Sequence, residues 1–357
     1  MLLVAVLVAL LLAEGALRLL TPEFRLSYTE ARFSPRYHHG SQEMFTLFKR
    51  IQAKPTAFRG ELTVAILGDS FAAGGEVDAK LRFTSVMQRS YDSPSGPRVK
   101  ILNLGVASYC TMLYERLYRD VILPLNPDVV IICLDQTDVA DDYLYEQDLS
   151  SKEILAATGV PEADFACTIL KNYESYPVTF FLLRHSQLFL RAHVAKRRLT
   201  GSGFIPESTR VDARDVKKME LYLETCKKSA SYRTLFDNSE KYIRAISLMK
   251  PPRQKLYFVT YPRAENLAAQ HKTSLINGAL PDSYSSVPFF EYWIKEANLA
   301  ARYPNTKFVH TAESFRAAIA STGLQYYFYN NDVHWNELGH KLFAEILDKE
   351  IVRTSYR

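Results

Sequence analysis

Beyond about residue 60 the chain alternates short apolar runs with segments whose apolar residues recur every three or four positions. The runs are Leu62–Leu67, Val99–Leu104, Val129–Leu134, Lys255–Thr260 and Lys307–His310. Strands buried on both faces of a parallel sheet read this way. Between the second and third runs, Met112–Leu123 sets Leu113, Leu117, Val121 and Ile122 on one helical face and stops before Pro124. The last segment opens at Asn336, a good N-cap, and carries Leu338, Leu342, Phe343, Ile346 and Leu347 as a stripe to be buried, with His340 on its flank. The alternation predicts an α/β fold: a three-layer αβα sandwich, flavodoxin-like, around a five-stranded parallel sheet.

Two stretches break the rhythm. Residues 148–253 hold helical patterns (Thr179–Arg198, Arg214–Cys226, Ser239–Met249) and the loop Gly201-Ser202-Gly203, with no strand pattern that suits the sheet. A helical cap inserted between strands 3 and 4 is expected. At the other break, Leu2–Ala13 is unbroken apolar sequence that resumes after Glu14 through Ala16, Leu17, Leu19 and Leu20. About 20 such residues, rising 1.5 Å each, just span a hydrocarbon core of about 30 Å. The expectation is an N-terminal transmembrane signal anchor over residues 1–21, with Glu14 near the interface; a cleaved signal peptide and a buried helix are the alternatives. A connector, 22–60, and a catalytic domain, 61–357, follow, the latter outside the cytoplasm on a single-pass membrane protein.

Composition narrows the function classes. The 357 residues are 47% hydrophobic and 23% charged, which excludes disordered and collagen-like chains. A net charge of +5 is too mild to point to nucleic acid, and no nucleic-acid motif is present. The basic stretches Arg184–Arg198 and Arg210–Lys228 suit a solvated cap face, or else an anionic substrate or lipid surface. Cys110, Cys133, Cys167 and Cys226 have no metal-ligand spacing; Cys133 reads as core, and Cys167 and Cys226 share the insertion and can pair in an oxidising compartment.

Candidate chemistry gathers at the ends of the apolar runs. Gly68-Asp69-Ser70 follows the first run directly, so a sharp turn presents Ser70 at the sheet edge, with its backbone N–H able to face developing negative charge. Asn103-Leu104-Gly105 ends the second run, and a glycine there lets an N–H approach a substrate oxygen. Asp135-Gln136-Thr137-Asp138 ends the third, where Thr137 or Gln136 offers a side-chain donor. Asp138, Asp141 and Asp142 are carboxylates of the kind that hold Ca²⁺, but loop and cap carboxylates are commoner, and no metal or cofactor is expected. In Asp332-Val333-His334-Trp335, residues two apart share a side, so Asp332 can orient the His334 imidazole. Each block alone has an ordinary reading as a turn or cap; four in this order suggest a serine-hydrolase-like site.

The four blocks resemble the SGNH (GDSL-type) hydrolase family over residues 60–145 and 255–350. The resemblance implies a nucleophilic Ser70, a base His334 oriented by Asp332, and an oxyanion hole from the Ser70 and Gly105 N–H groups with a third-block side chain, here Thr137. Two departures stand out. The third block has Thr137 where Gly-x-Asn-Asp carries asparagine. The last block is Asp-x-His-Trp, with Asn331 at the usual aspartate spacing, and is similar to the variant in membrane-associated alginate O-acetyltransferase proteins of the SGNH-like group. The implied activity is hydrolysis of short-chain acyl esters, O-acetyl esters first, of a small molecule or glycan. Transfer of the acyl group to a cell-envelope or exported polysaccharide is the alternative, and a catalytically weak binding or assembly protein is the third.

Overall fold

A computed structural model describes residues 2–20, 62–93, 96–106, 109–148, 177–200, 230–263, 267, 293–295, 297–327 and 334–356. Five strands, β1 (Leu62–Gly68), β2 (Val99–Gly105), β3 (Val129–Leu134), β4 (Lys255–Thr260) and β5 (Thr306–His310), form one sheet in the order β2-β1-β3-β4-β5. All four pairings are parallel. The expected runs thus become the strands, with β1 and β2 each one residue longer at the C-terminal end and β5 one longer at the start.

Alternation along the strands sends side chains into two cores, as the two-residue period requires. Ala65, Leu67, Val130, Ile132, Leu256 and Phe258 face one core, with Tyr114, Leu117, Val121, Phe236, Ile243 and Ile246 from covering helices. Val64, Ile66, Val129, Ile131, Tyr257 and Val259 face the other, with Phe71, Phe83, Phe315, Trp335, Phe343 and Leu347. Two apolar faces, each under helices, make the three-layer arrangement.

On the second face lie the short helix Ser70–Ala73 and the helices Phe83–Arg89, Ala312–Thr322 and Glu337–Leu347. In chain order the helices used below are α1 (Leu2–Leu20), α2 (Ser70–Ala73), α3 (Phe83–Arg89), α4 (Thr111–Leu117), α5 (Asp138–Asp148), α6 (Pro177–His185), α7 (Gln187–Thr200), α8 (Ala230–Met249), α9 (Ala312–Thr322) and α10 (Glu337–Leu347). The helix expected over Met112–Leu123 begins at Thr111 and runs past its predicted stop. A π-turn, Tyr118–Ile122, leads into Leu123–Leu125, and Asn126 closes it in the left-handed region at φ 49°. The widened turn falls just ahead of Pro124, which has no N–H for the regular ladder.

Part of the expected cap belongs to the sheet's own covering layer. Helix α8 starts nine residues before the predicted Ser239 and buries Leu235, Phe236, Ile243 and Ile246 in the first core, so it serves as the crossover into β4. The predicted helix Thr179–Arg198 is two helices, α6 and α7, broken at Ser186. The predicted helix Arg214–Cys226, Cys167 and Cys226 lie outside the described residues. Cys110 and Cys133 are buried free thiols.

Glu14 of α1 closes that break. Its carboxylate accepts hydrogen bonds from the Gln187 N–H (2.8 Å), the Leu188 N–H (3.0 Å) and the Ser186 hydroxyl (3.0 Å), capping α7 from another helix. Arg18, one turn on, donates to Glu14 (2.8 Å) and to the His185 carbonyl. The charged interruption in an apolar helix is therefore a seat for α6 and α7. Side chains of Leu2, Leu3, Val4 and Leu7 lie outside the described set, and among the described residues no helix is long and apolar enough to cross a membrane.

Candidate active site

The chain leaves β1 at the point where strand order reverses, with β2 on one side and β3 on the other. Open α/β sheets form a crevice at such a switch point. Gly68 makes the exit close: a Cβ there would sit 2.6 Å from Ala72 Cβ and 3.0 Å from Cys133 Cβ. The Asp69 carboxylate accepts from the Phe71 N–H (3.0 Å), capping α2, and Gly74 ends that helix at φ 64°. Ser70, its first residue, is half-buried. Its Oγ lies 2.7 Å from His334 Nε2.

Aromatic packing holds this pair across 264 residues of sequence. The Phe71 ring lies 4.6 Å from the His334 ring, 5.0 Å from Trp335 and 4.9 Å from Tyr261. Trp335 is fully buried and also meets Phe343 at 4.5 Å. Beyond it, Asn336 caps α10, its Oδ1 accepting from the Leu338 N–H (3.0 Å) and the Gly339 N–H (3.1 Å). Its Nδ2 donates to the Gln325 carbonyl at 2.7 Å. The residues flanking the nucleophile candidate and the base candidate are thus locked into one core. Asp332 and Asn331 lie outside the described residues.

Two of the three expected oxyanion donors, Gly105 and Thr137, are engaged elsewhere. Gly105 pairs with Gly68 in the sheet, and a Cβ on it would run into the Ala72 and Ala73 backbone. Its N–H donates to Asn103 Oδ1 at 2.9 Å, while Asn103 Nδ2 donates to the Ala72 carbonyl (2.9 Å) and Thr84 Oγ1 (3.2 Å). The Thr137 hydroxyl donates to Asp135 Oδ2 at 2.6 Å. Both differ from donors held open for substrate. The cause is local: the Asn103 side chain reaches the N–H two residues on, and Asp135 brings an acceptor beside Thr137.

Arg263 explains how a buried Asp135 is tolerated. Its Nε donates to Asp135 Oδ1 at 2.9 Å, its Nη2 donates to Oδ2, and its guanidinium lies 5.6 Å from the Phe71 ring centroid. Burial raises the Asp135 carboxyl, but the Arg263 charge and hydrogen bonds, with those of Thr137, hold it below the ordinary range. Asp69 and Asp138 lie close by, carboxylate oxygens of all three falling within 4.8 Å of one another. Burial, then the neighbouring carboxylates, pushes Asp138 well above the usual range, and burial and Asp135 push Asp69 up as well. As a cation site the trio fits poorly. Asp135 is taken by Arg263, and Asp69 Oδ1 accepts from both Phe71 N–H and the Tyr261 hydroxyl (2.8 Å). Asp142, read as a loop or cap carboxylate, is buried and caps α4, its Oδ1 accepting from the Met112 N–H at 2.9 Å.

Sequence reading missed Arg263, Tyr261, Glu76 and His340. The first two follow β4 at the edge where the other blocks end, which was a usable signal. His340 was expected on a flank but is fully buried. It stands three and seven residues before Phe343 and Leu347, so its spacing already placed it on the buried face. Glu76, in the turn after α2, is 5% exposed and carried no signal in the sequence.

No protein-family model matches the chain, and no curated protein matches it. Among solved structures it is similar to a point mutant of Axe2, an acetyl-xylooligosaccharide esterase from Geobacillus stearothermophilus, at 13% identity and a TM-score of 0.42, covering 82% of this chain and 95% of that one. It is also similar to the acetyl xylan esterase AlAXEase, at 14% identity and a TM-score of 0.38, covering 81% and 99%. A gut microbial diltiazem-metabolizing enzyme gives 11% and 0.41, covering 82% and 47%. Similarity at this level carries no functional weight, and function is read from the residues of the site.

Proposed function

We propose that this chain is a serine esterase of SGNH type that cleaves short acyl esters through an acyl-enzyme. The observation that carries the reading is the 2.7 Å separation of Ser70 Oγ and His334 Nε2 at the switch point of the sheet. This is hydrogen-bonding distance for a nucleophile and its base. As Ser70 Oγ attacks the acyl carbonyl, its proton passes to His334 Nε2. The tetrahedral oxyanion collapses, the C–O bond to the alcohol breaks, and His334 returns the proton to the leaving oxygen. Water, deprotonated by His334, then attacks the acyl carbon and frees Ser70. The Ser70 N–H is the first oxyanion donor, since the cap bond of α2 takes the Phe71 N–H instead. Gly105 joins it when its N–H exchanges Asn103 for substrate, Thr137 stays with Asp135, and Asp332 orients His334.

The enzyme is placed outside the cytoplasm, held to a membrane by the apolar N-terminal segment. In support, Leu11, Leu12, Leu19 and Leu20 of α1 are 64–84% exposed, a face that water does not favour. The substrate class is a short O-acyl ester of a small molecule or glycan. Hydrolysis of p-nitrophenyl acetate by the full chain, beside Ser70→Ala, tests the activity. Turnover that vanishes in the variant supports it; turnover that persists removes Ser70 from the mechanism.

A further inference from the structure

His334 Nε2 has an acidic neighbour that none of the four blocks contains. Glu76 Oε1 lies 3.4 Å from it, on the side where Ser70 Oγ approaches. The other carboxylate oxygen, Oε2, lies 3.9 Å from His340 Nε2. His340 Nδ1 accepts the Phe83 N–H at 3.4 Å, so the proton of the neutral ring is on Nε2, the nitrogen nearest Glu76. The His340 ring is fixed by stacking on Phe83 (6.1 Å, 7°), by an edge contact with Trp335 (5.7 Å, 87°), and by Gly74, where a Cβ would come within 3.1 Å of Cε1. Among the described residues, Glu76 Oε2 and His340 Nε2 are buried without a hydrogen-bond partner and face each other at 3.9 Å.

We infer that Glu76, lying between His334 and His340, is a positioning residue that stabilises the charged form of His334 while it carries the Ser70 proton. The inference rests on Ser70 and His334 acting as nucleophile and base. A carboxylate within 4 Å of an imidazole favours imidazolium, and the low-dielectric surroundings strengthen the effect. Its place at Nε2 is distinct from that of an orienting aspartate at Nδ1. Glu76 thereby assists formation of imidazolium without touching substrate, with the fixed His340 ring facing its other carboxylate oxygen at 3.9 Å. Among the described residues the other charged groups near the site are Asp69 at the end of β1, which interacts electrostatically with His334, Arg263 beyond β4, whose guanidinium lies over the Phe71 ring, and Arg82 ahead of α3, whose stem lies beside Gly74.

The test is the titration of His334 by ¹⁵N-imidazole NMR in the full chain in detergent, with its signal assigned by loss in His334→Ala. Glu76→Gln is expected to lower the His334 midpoint by about one pH unit or more, and His340→Gln by a smaller amount in the same direction. The acid limb of kcat/KM should move with it. An unchanged midpoint in folded Glu76→Gln overturns the inference. If that variant does not fold, Glu76→Asp serves, where a retracted carboxylate should give a partial downward shift and no shift overturns the inference. Reaction of the parent with a fluorophosphonate is scored separately. Failure to label Ser70 removes the esterase reading, while the titration still reports whether Glu76 holds the imidazolium.

Discussion

Replacing Arg263 with methionine tests the electrostatic reading of the site most severely. The Arg263 side chain is 9% exposed and that of Asp135 is fully buried, so water screens their interaction little. Methionine preserves much of the volume and the contact with Phe71 but removes both N–H donors that Asp135 receives from the guanidinium. Breaking a buried pair by removing one partner costs about 3–5 kcal/mol, because the remaining charge is desolvated and unpaired. Asp69 and Asp138 stand within 4.8 Å, so crowding of the three carboxylates opposes an unpaired charge on Asp135. Against total stabilities of about 5–15 kcal/mol, such a loss is easily read by urea unfolding of the full chain in mild detergent. Without Arg263 the Asp135 carboxyl rises above its unfolded value, so the variant recovers stability as pH falls and loses it as pH rises. The double variant Arg263→Met/Asp135→Asn should regain most of the loss. A single variant within 1 kcal/mol of the parent at pH 8, or a double variant no better than the single, would refute the reasoning.

Three further outcomes follow from the same geometry. Asp142 is pushed up to about 6 from 3.8 by burial, against the hydrogen bonds of Ser239, Thr111 and Met112; its folded-state value is raised, so its contribution is full below pH 4 and lost as pH rises through 6. Asp142→Asn should therefore flatten the stability profile between pH 4 and 6, by at most about 3 kcal/mol, and an unaltered slope in chemical denaturation would contradict this. Trp335→Ala should cost about 3–5 kcal/mol and, by loosening the ring packed on Phe71, slow fluorophosphonate labelling of Ser70; an unchanged labelling rate would detach the aromatic core from the site. Gly105→Ala forces a Cβ into the Ala72–Ala73 backbone, so thermal melting should fall by an amount equivalent to about 1–3 kcal/mol, and a neutral result would mean that α2 can move away.

Strands and their order of use were readable because a sheet buried on both faces demands apolar runs, and Leu62–Gly68 through Thr306–His310 supply them with turn residues at their ends. Ser70 and His334 were readable because each stands at the end of such a run or ahead of a well-capped helix. What escaped was everything that depends on distant side chains meeting. Arg263 and Asp135 are 128 residues apart, and the Thr137 hydroxyl is engaged because Asp135 is beside it. The Gly105 N–H is taken by Asn103 through a local turn of the amide, which no periodicity records. His340 was legible by spacing and was read instead by residue type, since a histidine is not the usual occupant of an apolar stripe. Nothing in the apolar run signalled that Glu14 accepts from backbone N–H groups more than 170 residues away.

Fluorophosphonate labelling of the full chain in detergent, located by mass spectrometry of its peptides, bears most directly on whether Ser70 and His334 form a nucleophile and its base. The expected result is a single adduct on Ser70, formed at a rate that rises with pH through the His334 titration and absent in His334→Ala. Labelling of another serine, or Ser70 labelling that proceeds unchanged without His334, would contradict it.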